Sequence, residues 1–466
     1  MLSFFKINDP LRLVPILLLA FLLKLPALLH PVQFVEATHW FVIGEAMHNG
    51  SMYSDIWDGL APFSALLFQF ITWIFGRSLM ALYILGIFVT FIQAIIINNT
   101  AIRAKVFENN TYLPALIYVL FTSSHPAFFT LSPSLMGLTF VLLGLGNLLR
   151  HVEFRAKADI QIIMIGLYFG GATLFYFPFI VFLPVSLVLL LLFTSTIGRR
   201  YFLLIFGNVF PIIASFFYYW LKSGRAGYFT ENFIRFYGFG IDNISIGWQN
   251  GLMALAVPSF FMFLGLVSFG RQRRLTNYQS RIVQLFLLFG VLALSMMLLE
   301  SPVTYYSLVV YMPVLAFFTV HLVSLFKKPL YTTLLSLLLF ACPIVSLWAF
   351  SNNWFDEKNT EILNNKSVAQ FKPYAKNKSI MVLGPGKALY EEARLAGPFY
   401  DWELSQRFFN ELDYYDNLVF LQHQFERTQP EVIIDIENIW PKVEQRLPLV
   451  AKNYYRLKPQ ILIRKP

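Results

Sequence analysis

Between Pro31 and Ala61 the sequence gathers Glu36, His39, Glu45, His48, Asp55 and Asp58 among Trp40, Phe41, Tyr53 and Trp57, with no lysine or arginine in the interval. A carboxylate at the edge of an apolar medium is partly desolvated, which raises its pKa toward that of a general base. Glu36 is placed for this, because it follows the apolar run Leu11 to Leu29. Such a group can take the proton of a hydroxyl nucleophile. The indole and phenol rings around it suit stacking on a sugar, covering an acyl chain or anchoring at headgroup level. A plainer reading stands beside this one: an interfacial loop with solvated acids and aromatic anchors. His39 and His48 are close enough in the chain to join an acceptor site. His30, His39, His48, His125 and His151 show no metal-ligand spacing such as His-Glu-x-x-His, and Asp55 and Asp58 are separated by two residues. No metal centre and no cofactor is therefore expected.

Composition says what must position these groups. Hydrophobic residues make up 57% of the 466, charged residues only 13%, and 50 are phenylalanine. A water-facing surface cannot be covered from that stock, so lipid is the solvent for most of the chain. Continuous apolar runs recur at Leu11 to Leu29, Leu79 to Ile97, Tyr112 to Phe129, Ser134 to Leu149, Ile160 to Phe177, Phe179 to Ile197, Tyr201 to Leu221, Trp248 to Phe269, Ile282 to Leu299, Val303 to Phe326 and Leu330 to Phe350. Backbone polarity in lipid makes each a helix, and continuous rather than alternating hydrophobicity excludes a closed barrel. The spans carry almost no mid-helix charge, and Cys342 inside one of them leaves no disulfide framework. No Ala-x-Ala-like cleavage site follows the first run, which is expected to stay as an anchor.

The net charge of +10 comes from basic residues scattered between the runs, at Arg103, Lys105, Arg199, Arg200, Arg271 to Arg274, Lys327 and Lys328. That distribution is the positive-inside pattern of a polytopic protein and argues against a nucleic-acid partner. Lys6 and Arg12 put the amino terminus in the cytoplasm and the acidic loop 31–61 outside. Counting back from Lys327 and Lys328 also puts the chain after Phe350 outside. Pro62 to Phe75 breaks the parity: either it is a short crossing and one basic loop violates the rule, or it lies partly in the interface. The segment 222–247 counts as external although it holds Lys222, Arg225 and Arg235.

After Phe350 a polar stretch, Ser351 to Lys358, opens a second part. Ser379 to Leu383 and Val432 to Ile436 read as buried strands, Ile461 to Ile463 as an edge strand, and Lys387 to Leu395, Trp402 to Phe425 and Val443 to Ala451 as helices. The expected architecture is an α-helical polytopic membrane domain of about 11–13 helices over residues 1–350 and a small soluble α/β domain over 351–466 that folds as an independent unit.

The order Glu36-Ala37, Glu45-Ala46-Met47, Asn49-Gly50, Met52-Tyr53-Ser54-Asp55-Ile56-Trp57-Asp58 and Pro62 resembles the first external loop of the GT-C superfamily. These are polytopic glycosyltransferases that use polyprenyl-phosphate sugars, among them protein O-mannosyltransferases and lipid A aminoarabinose transferases. The likeness continues in Phe75-Gly76-Arg77-Ser78, Ser124-His125-Pro126 and Tyr305-Tyr306 with Tyr311 and Pro313. Family members commonly carry Asp-Glu where this chain has Val35-Glu36, and a basic residue with two prolines where it has Gly59-Leu60-Ala61-Pro62. The resemblance implies direct sugar transfer from a lipid phosphate at the outer face of a bacterial inner membrane to an acceptor glycan, lipid or protein. It maps the catalytic carboxylate onto Glu36, and the residues of the same loop, His39, Tyr53, Asp55, Trp57 and Asp58, are the expected substrate-binding set beside it. The leaving phosphate would need positive charge, which Arg225 and Arg235 can supply, with Lys222 as a third, since guanidinium makes paired hydrogen bonds to phosphate. These residues equally suit anionic membrane lipids or the acids Glu231 and Asp242, and Tyr228 and Tyr237 suit interfacial anchors.

Gly384-Pro385-Gly386 reads as a turn, or as backbone amides facing a phosphate, and Glu300 as a sugar or cation contact, or a solvated helix end. Two other classes stay open: a noncatalytic envelope-assembly scaffold, and a lipid or glycan transporter, the latter opposed by the scarcity of mid-helix charge and of paired interrupted helices. The sidedness has a direct test. Cysteines introduced at Ser54 and Ser367 in a background lacking Cys342 should both react with an impermeant maleimide in intact spheroplasts, and labelling of one alone would show the parity to be wrong.

Overall fold

A computed structural model gives the structure of the protein and describes residues 2–31, 35–154, 159–193, 197–234, 248–272, 277–296, 304–326, 328–351 and 369–465. The chain is an integral, multi-pass, α-helical membrane protein with a small carboxy-terminal α/β region. Among the described residues eight helices are long and apolar enough to cross a membrane, and four shorter apolar helices accompany them. The chain divides into two compact units.

The first unit comprises Met1–Val32, Leu79–Ser215 and Tyr237–Asp356. Its helices show why a lipid solvent is required. Along the helix Leu13–Leu29 the exposed residues Val14, Leu18, Leu22, Leu25 and Leu29 form one stripe, while Ile16, Ala20, Leu23 and Ala27 are buried on the opposite face. Both faces are apolar, which water would not tolerate. Helices Asp159–Phe175 and Gly198–Ser223 meet backbone to backbone: a Cβ on Gly166 would lie 2.4 Å from the Leu204 carbonyl oxygen, and one on Gly170 2.2 Å from that of Asn208. Small residues allow this approach, and close packing is the main attraction between helices where burial from water is unavailable.

Several expected spans are interrupted. The run Tyr112 to Phe129 ends as an α-helix, Leu113–Thr122, because the hydroxyls of Ser123 and Ser124 donate to the carbonyls of Val119 and Phe121 (both 2.7 Å) and Pro126 cannot continue the ladder. The runs beginning near Phe179 and Val303 open as 3₁₀ turns, Phe177–Val181 and Tyr305–Tyr311, before the helices Phe182–Phe193 and Met312–Leu325. Ser134 donates to the Tyr306 carbonyl (2.7 Å) and supports the second turn. The reading of nearly charge-free spans has a notable exception in Lys24. Its ammonium is fully buried, donates to Thr90 Oγ1 (2.9 Å) and lies 5.0 Å from the centroid of the Phe129 ring.

The second unit joins Gln33–Ser78, Phe216–Phe236 and Glu357–Pro466. Helix Pro62–Phe75 packs on helix Val35–Ala46 through Trp40, whose indole stacks on Phe68 (5.1 Å, 10°). Its opposite face exposes Phe63, Leu66, Phe70 and Trp73, the last at 73%. A helix of 14 residues spans only about 21 Å, short of the roughly 30 Å hydrocarbon core.

The carboxy-terminal segment forms a five-stranded sheet, ordered β2-β1-β3-β5-β4, from β1 (Ser379–Leu383), β2 (Arg394–Leu395), β3 (Val432–Asp435), β4 (Tyr454–Lys458) and β5 (Ile461–Arg464). β1 pairs parallel with β2 and β3, whereas β5 runs antiparallel to both β3 and β4. The strand at Ile461 is therefore interior, and β4, a mostly exposed strand with little apolar signature, is the edge. Lys387 to Leu395 is a 3₁₀ turn (Lys387–Glu391) followed by β2 rather than a helix. The carbonyls of Tyr390, Glu391 and Ala393 accept from the Arg77 guanidinium (2.7–2.8 Å) instead of from a helical ladder. Trp402 to Phe425 divides into Trp402–Asn410 and Tyr415–Thr428, with Asn417 Nδ2 donating to the Glu411 carbonyl in the break (2.9 Å). Pro448 likewise divides Val443 to Ala451.

The core of this segment is completed from elsewhere in the chain. Trp57 is stacked on Phe420 (5.5 Å, 13°), meets Phe399 and Phe408 edge-on, and donates its backbone N–H to the Pro398 carbonyl (2.9 Å). Residues 357–466 are thus one part of a three-segment fold rather than its whole. Trp57→Ala should cost about 3–5 kcal/mol, read as a lower thermal midpoint in detergent with loss of near-ultraviolet circular dichroism. An unchanged midpoint would show that the indole is not a structural member of this core.

Candidate functional site

Helix Val35–Ala46 carries Glu36 and His39 one turn apart, so both leave the same face. The chain then turns back through Tyr53, a non-glycine residue held at φ +72°. Its surroundings sustain that conformation: the phenol donates to the Leu60 carbonyl (2.7 Å), Asn232 Nδ2 donates to the Tyr53 carbonyl (2.8 Å), and the ring packs on Tyr219 and Phe229 at 4.9 and 5.3 Å. This turn delivers Asp58 to His39.

Asp58 is 1% exposed. Its Oδ2 lies 2.8 Å from His39 Nε2, and its Oδ1 accepts the Leu60 N–H at 2.7 Å. Burial by itself would raise the Asp58 pKa, but His39, Lys387 and the Leu60 N–H outweigh it and hold the carboxyl below its ordinary value. An ionised Asp58 only accepts, so His39 donates through Nε2. On the other side Lys387 Nζ donates to Asp401 Oδ2 (2.6 Å), whose Oδ1 caps helix Trp402–Asn410 through the Glu403 N–H (2.9 Å). Burial would lower the Lys387 pKa, and Asp401, Asp58 and Glu403 outweigh that and raise it. The Tyr400 ring stacks on His39 (5.3 Å, 18°), and its buried hydroxyl has no hydrogen-bond partner among the described residues. Burial, then Asp58, Tyr390 and Asp401, push that phenol well above its usual range, so it stays a neutral donor.

Glu36 is half-buried at the start of the helix. Burial pushes its carboxyl up from the ordinary value, against the smaller lowering effects of a backbone hydrogen bond and of His39. Two carboxylates thus flank one imidazole with opposite shifts, Asp58 kept ionised and Glu36 moved toward the range of a proton acceptor. Such a pair of divergent environments is what acid–base chemistry uses.

The remaining expected site residues have varied surroundings. Asp55 pairs with Arg427 and accepts the Ser51 N–H (2.8 Å). Trp57 is in the core described above. Arg225 is exposed, 6.0 Å from the Tyr228 ring centroid, with no carboxylate partner among the described residues. Arg235 lies outside the described residues, as do Tyr237, Asp242 and Glu300. Glu45 binds Arg77 (2.7 Å), the same guanidinium that holds the turn after β1. Gly384, at φ +139°, packs against Ile436, where a Cβ would come within 2.7 Å of that residue's own Cβ, so the glycines make a closed turn. No cluster of three or more metal-ligating side chains occurs among the described residues.

Sequence reasoning did not single out Lys387, Asp401 or Tyr400. Their local signals, a lysine after a Gly-Pro-Gly turn and an aspartate at a helix start, are common and acquire meaning only when Asp58 is beside them.

Neither protein-family models nor the curated proteins give a match to this chain. Solved structures do. ArnT from Cupriavidus metallidurans bound to undecaprenyl phosphate aligns with a TM-score of 0.54 at 12% identity, covering 98% of both chains. The archaeal oligosaccharyltransferase AglB from Archaeoglobus fulgidus, in complex with an inhibitory peptide and a dolichol-phosphate, aligns with a TM-score of 0.53 at 11% identity, covering 98% of this chain and 75% of that one. At this identity the likeness is one of fold: the chain shares the polytopic helical membrane fold of these proteins and carries a small carboxy-terminal α/β region.

Removing the buried Asp58 leaves His39 and Lys387 with one anion fewer. Asp58→Ala should therefore cost about 3 kcal/mol or more. Because the folded pKa of Asp58 is depressed, its stabilisation is complete above the ordinary carboxylate range and is lost as pH falls through the lower folded value. Thermal unfolding in detergent between neutral and acid pH should show that acid loss in the wild type and less of it in Asp58→Asn. Equal acid sensitivity in the two proteins would dismiss the charged pair.

Proposed function

We propose that this protein is a membrane glycosyltransferase that moves a sugar from a polyprenyl-phosphate donor to an envelope lipid, glycan or protein acceptor, with Glu36 as general base. The observation that carries the reading is Glu36 itself. Its carboxyl has a raised pKa, beside an Asp58-oriented His39, on the loop helix of a fold shared with a protein bound to undecaprenyl phosphate.

In this reading the Glu36 carboxylate takes the proton of the acceptor hydroxyl as its oxygen bonds to the anomeric carbon. The bond from that carbon to the phosphate oxygen breaks, and its electron pair leaves with the lipid phosphate. Arg225 and Arg235 are proposed to bind that phosphate, where added negative charge develops. His39, Tyr53, Asp55, Trp57 and Asp58 shape the loop; of these His39 and Trp57 are proposed to contact substrate directly, and the others to hold the loop in place.

The length and apolar outer face of helix Pro62–Phe75 favour an in-plane position at the interface. With that helix not crossing, Arg103, Arg150, Arg199, Arg271 and Lys327 all fall on one side, and the loop at Glu36, the segment 222–247 and the carboxy-terminal segment on the other. The proposed setting is a bacterial inner membrane with the second side extracytoplasmic.

Purified protein assayed with radiolabelled polyprenyl-phosphate sugars and extracted envelope acceptors tests the assignment. Glu36→Gln should slow transfer by about 100-fold or more while donor binding is retained. The active form is deprotonated, so wild-type transfer should rise with pH through a limb above the ordinary carboxylate range, and that limb should vanish in Glu36→Gln. Wild-type rates in the variant would reject the base. Failure to bind any polyprenyl-phosphate sugar would point to the scaffold instead.

A further inference from the structure

Beside Trp57 a groove of about 600 Å³ runs between residues 225–232 and the helices Trp402–Asn410 and Tyr415–Thr428. Trp57, Tyr228, Phe408 and Phe420 line it, the last three half-exposed. The same groove carries four carboxylates, Glu231, Glu403, Glu411 and Asp416, against the two guanidiniums of Arg225 and Arg407. Only Arg407 and Glu411 pair with each other among the described residues (3.5 Å). The Trp57 indole N–H is buried and has no acceptor among the described residues.

We propose that this groove binds a carbohydrate, neutral or amino-bearing, as the acceptor glycan. The acceptor role rests on the transferase reading, whereas the binding itself does not. Aromatic faces offer the flat apolar surface that pyranose C–H groups cover, and planar carboxylate, guanidinium and amide groups match the paired hydroxyls of a sugar. An excess of acids on a chain whose net charge is +10 selects against phosphorylated or uronate-rich glycans and favours an ammonium substituent. A peptide fits less well. The walls are helices and a turn, and the sheet's edge strands β2 and β4 do not line the groove, so an extended chain finds no backbone to pair with. The charges interrupt the apolar strip that an amphipathic helix would need.

The probes are a glucosamine tetramer, an N-acetylglucosamine tetramer, a hexuronate tetramer and a lysine-rich peptide, titrated by calorimetry into the full-length protein in detergent. The two hexosamine tetramers should bind, the glucosamine one more tightly, and the hexuronate should not. Phe420→Ala should weaken both by about tenfold. Because Phe420 also packs on Trp57, the exposed pair Glu231→Gln and Glu403→Gln provides a second variant whose fold is not at issue. It should abolish the preference for glucosamine and leave the N-acetylglucosamine tetramer bound. No binding of either hexosamine tetramer at millimolar concentration, tighter binding of hexuronate or peptide, or affinities unchanged in all variants would overturn the proposal. Oligosaccharide binding without transfer from any donor would keep the groove and remove the transferase. Transfer by a protein that binds no oligosaccharide would do the reverse.

Discussion

Asp58 is an ionised carboxylate almost wholly removed from water, and the second unit is organised around the groups that make this tolerable. Desolvating such a charge costs several kcal/mol unless opposite charge and hydrogen bonds replace the water. His39 and Leu60 come from the loop, and Lys387 comes from a segment more than three hundred positions later. Each of these is fixed in turn, His39 by stacking on Tyr400 and Lys387 by Asp401. The loop and the carboxy-terminal sheet must close on each other for Asp58 to be satisfied, and this closure also seats Trp57 between Phe420 and Phe399. Apolar burial supplies most of the driving force, while the charged pairs dictate the register at which the segments meet.

That closure has a chemical consequence. Glu36 is on the same helix face as His39 but has no ion-pair partner among the described residues, so burial outweighs the lowering effects of a backbone hydrogen bond and of His39, and its pKa rises. Asp58 uses the available positive charge and stays ionised. Arg77 plays a comparable part at the far end of the helix, where one guanidinium binds Glu45 and three carbonyls around β2. The helix carrying the proposed base is thereby fixed at both ends, and preorganisation of this sort is what proton transfer in a fixed geometry needs.

The first unit obeys different physics. Its outer residues are as apolar as its inner ones, so burial does not discriminate between helix faces and packing geometry does. Glycine at 166, 170 and 207 lets two backbones touch, and buried side chains bind across helices, as Gln93 does by donating to the Leu135 carbonyl and Thr139 and accepting from Tyr118 (2.6–2.9 Å). Lys24 is the most costly of these residues. It is accommodated by Thr90 and the face of Phe129 rather than by a carboxylate among the described residues.

Sequence by itself determined the class, the apolar runs, the basic loops, the position of Glu36 and the strands at Ser379 and Val432. These are local or compositional properties: a span is legible because lipid demands an unbroken apolar stretch, and a buried strand because it is short and β-branched. Only the tertiary structure decided which groups meet. Nothing near Lys387 or Asp401 in the chain announces Asp58, and nothing near Trp57 announces a socket of phenylalanines some 340–360 positions away. Interactions between distant segments leave no periodicity in either of them. For the same reason β4 could not be read as an edge, Lys387 to Leu395 could not be read as a turn held by Arg77, and Lys24 passed unnoticed in an apolar run. In each case the deciding partner is contributed by another element, and its effect on charge, burial or hydrogen bonding exists only after the chain has folded.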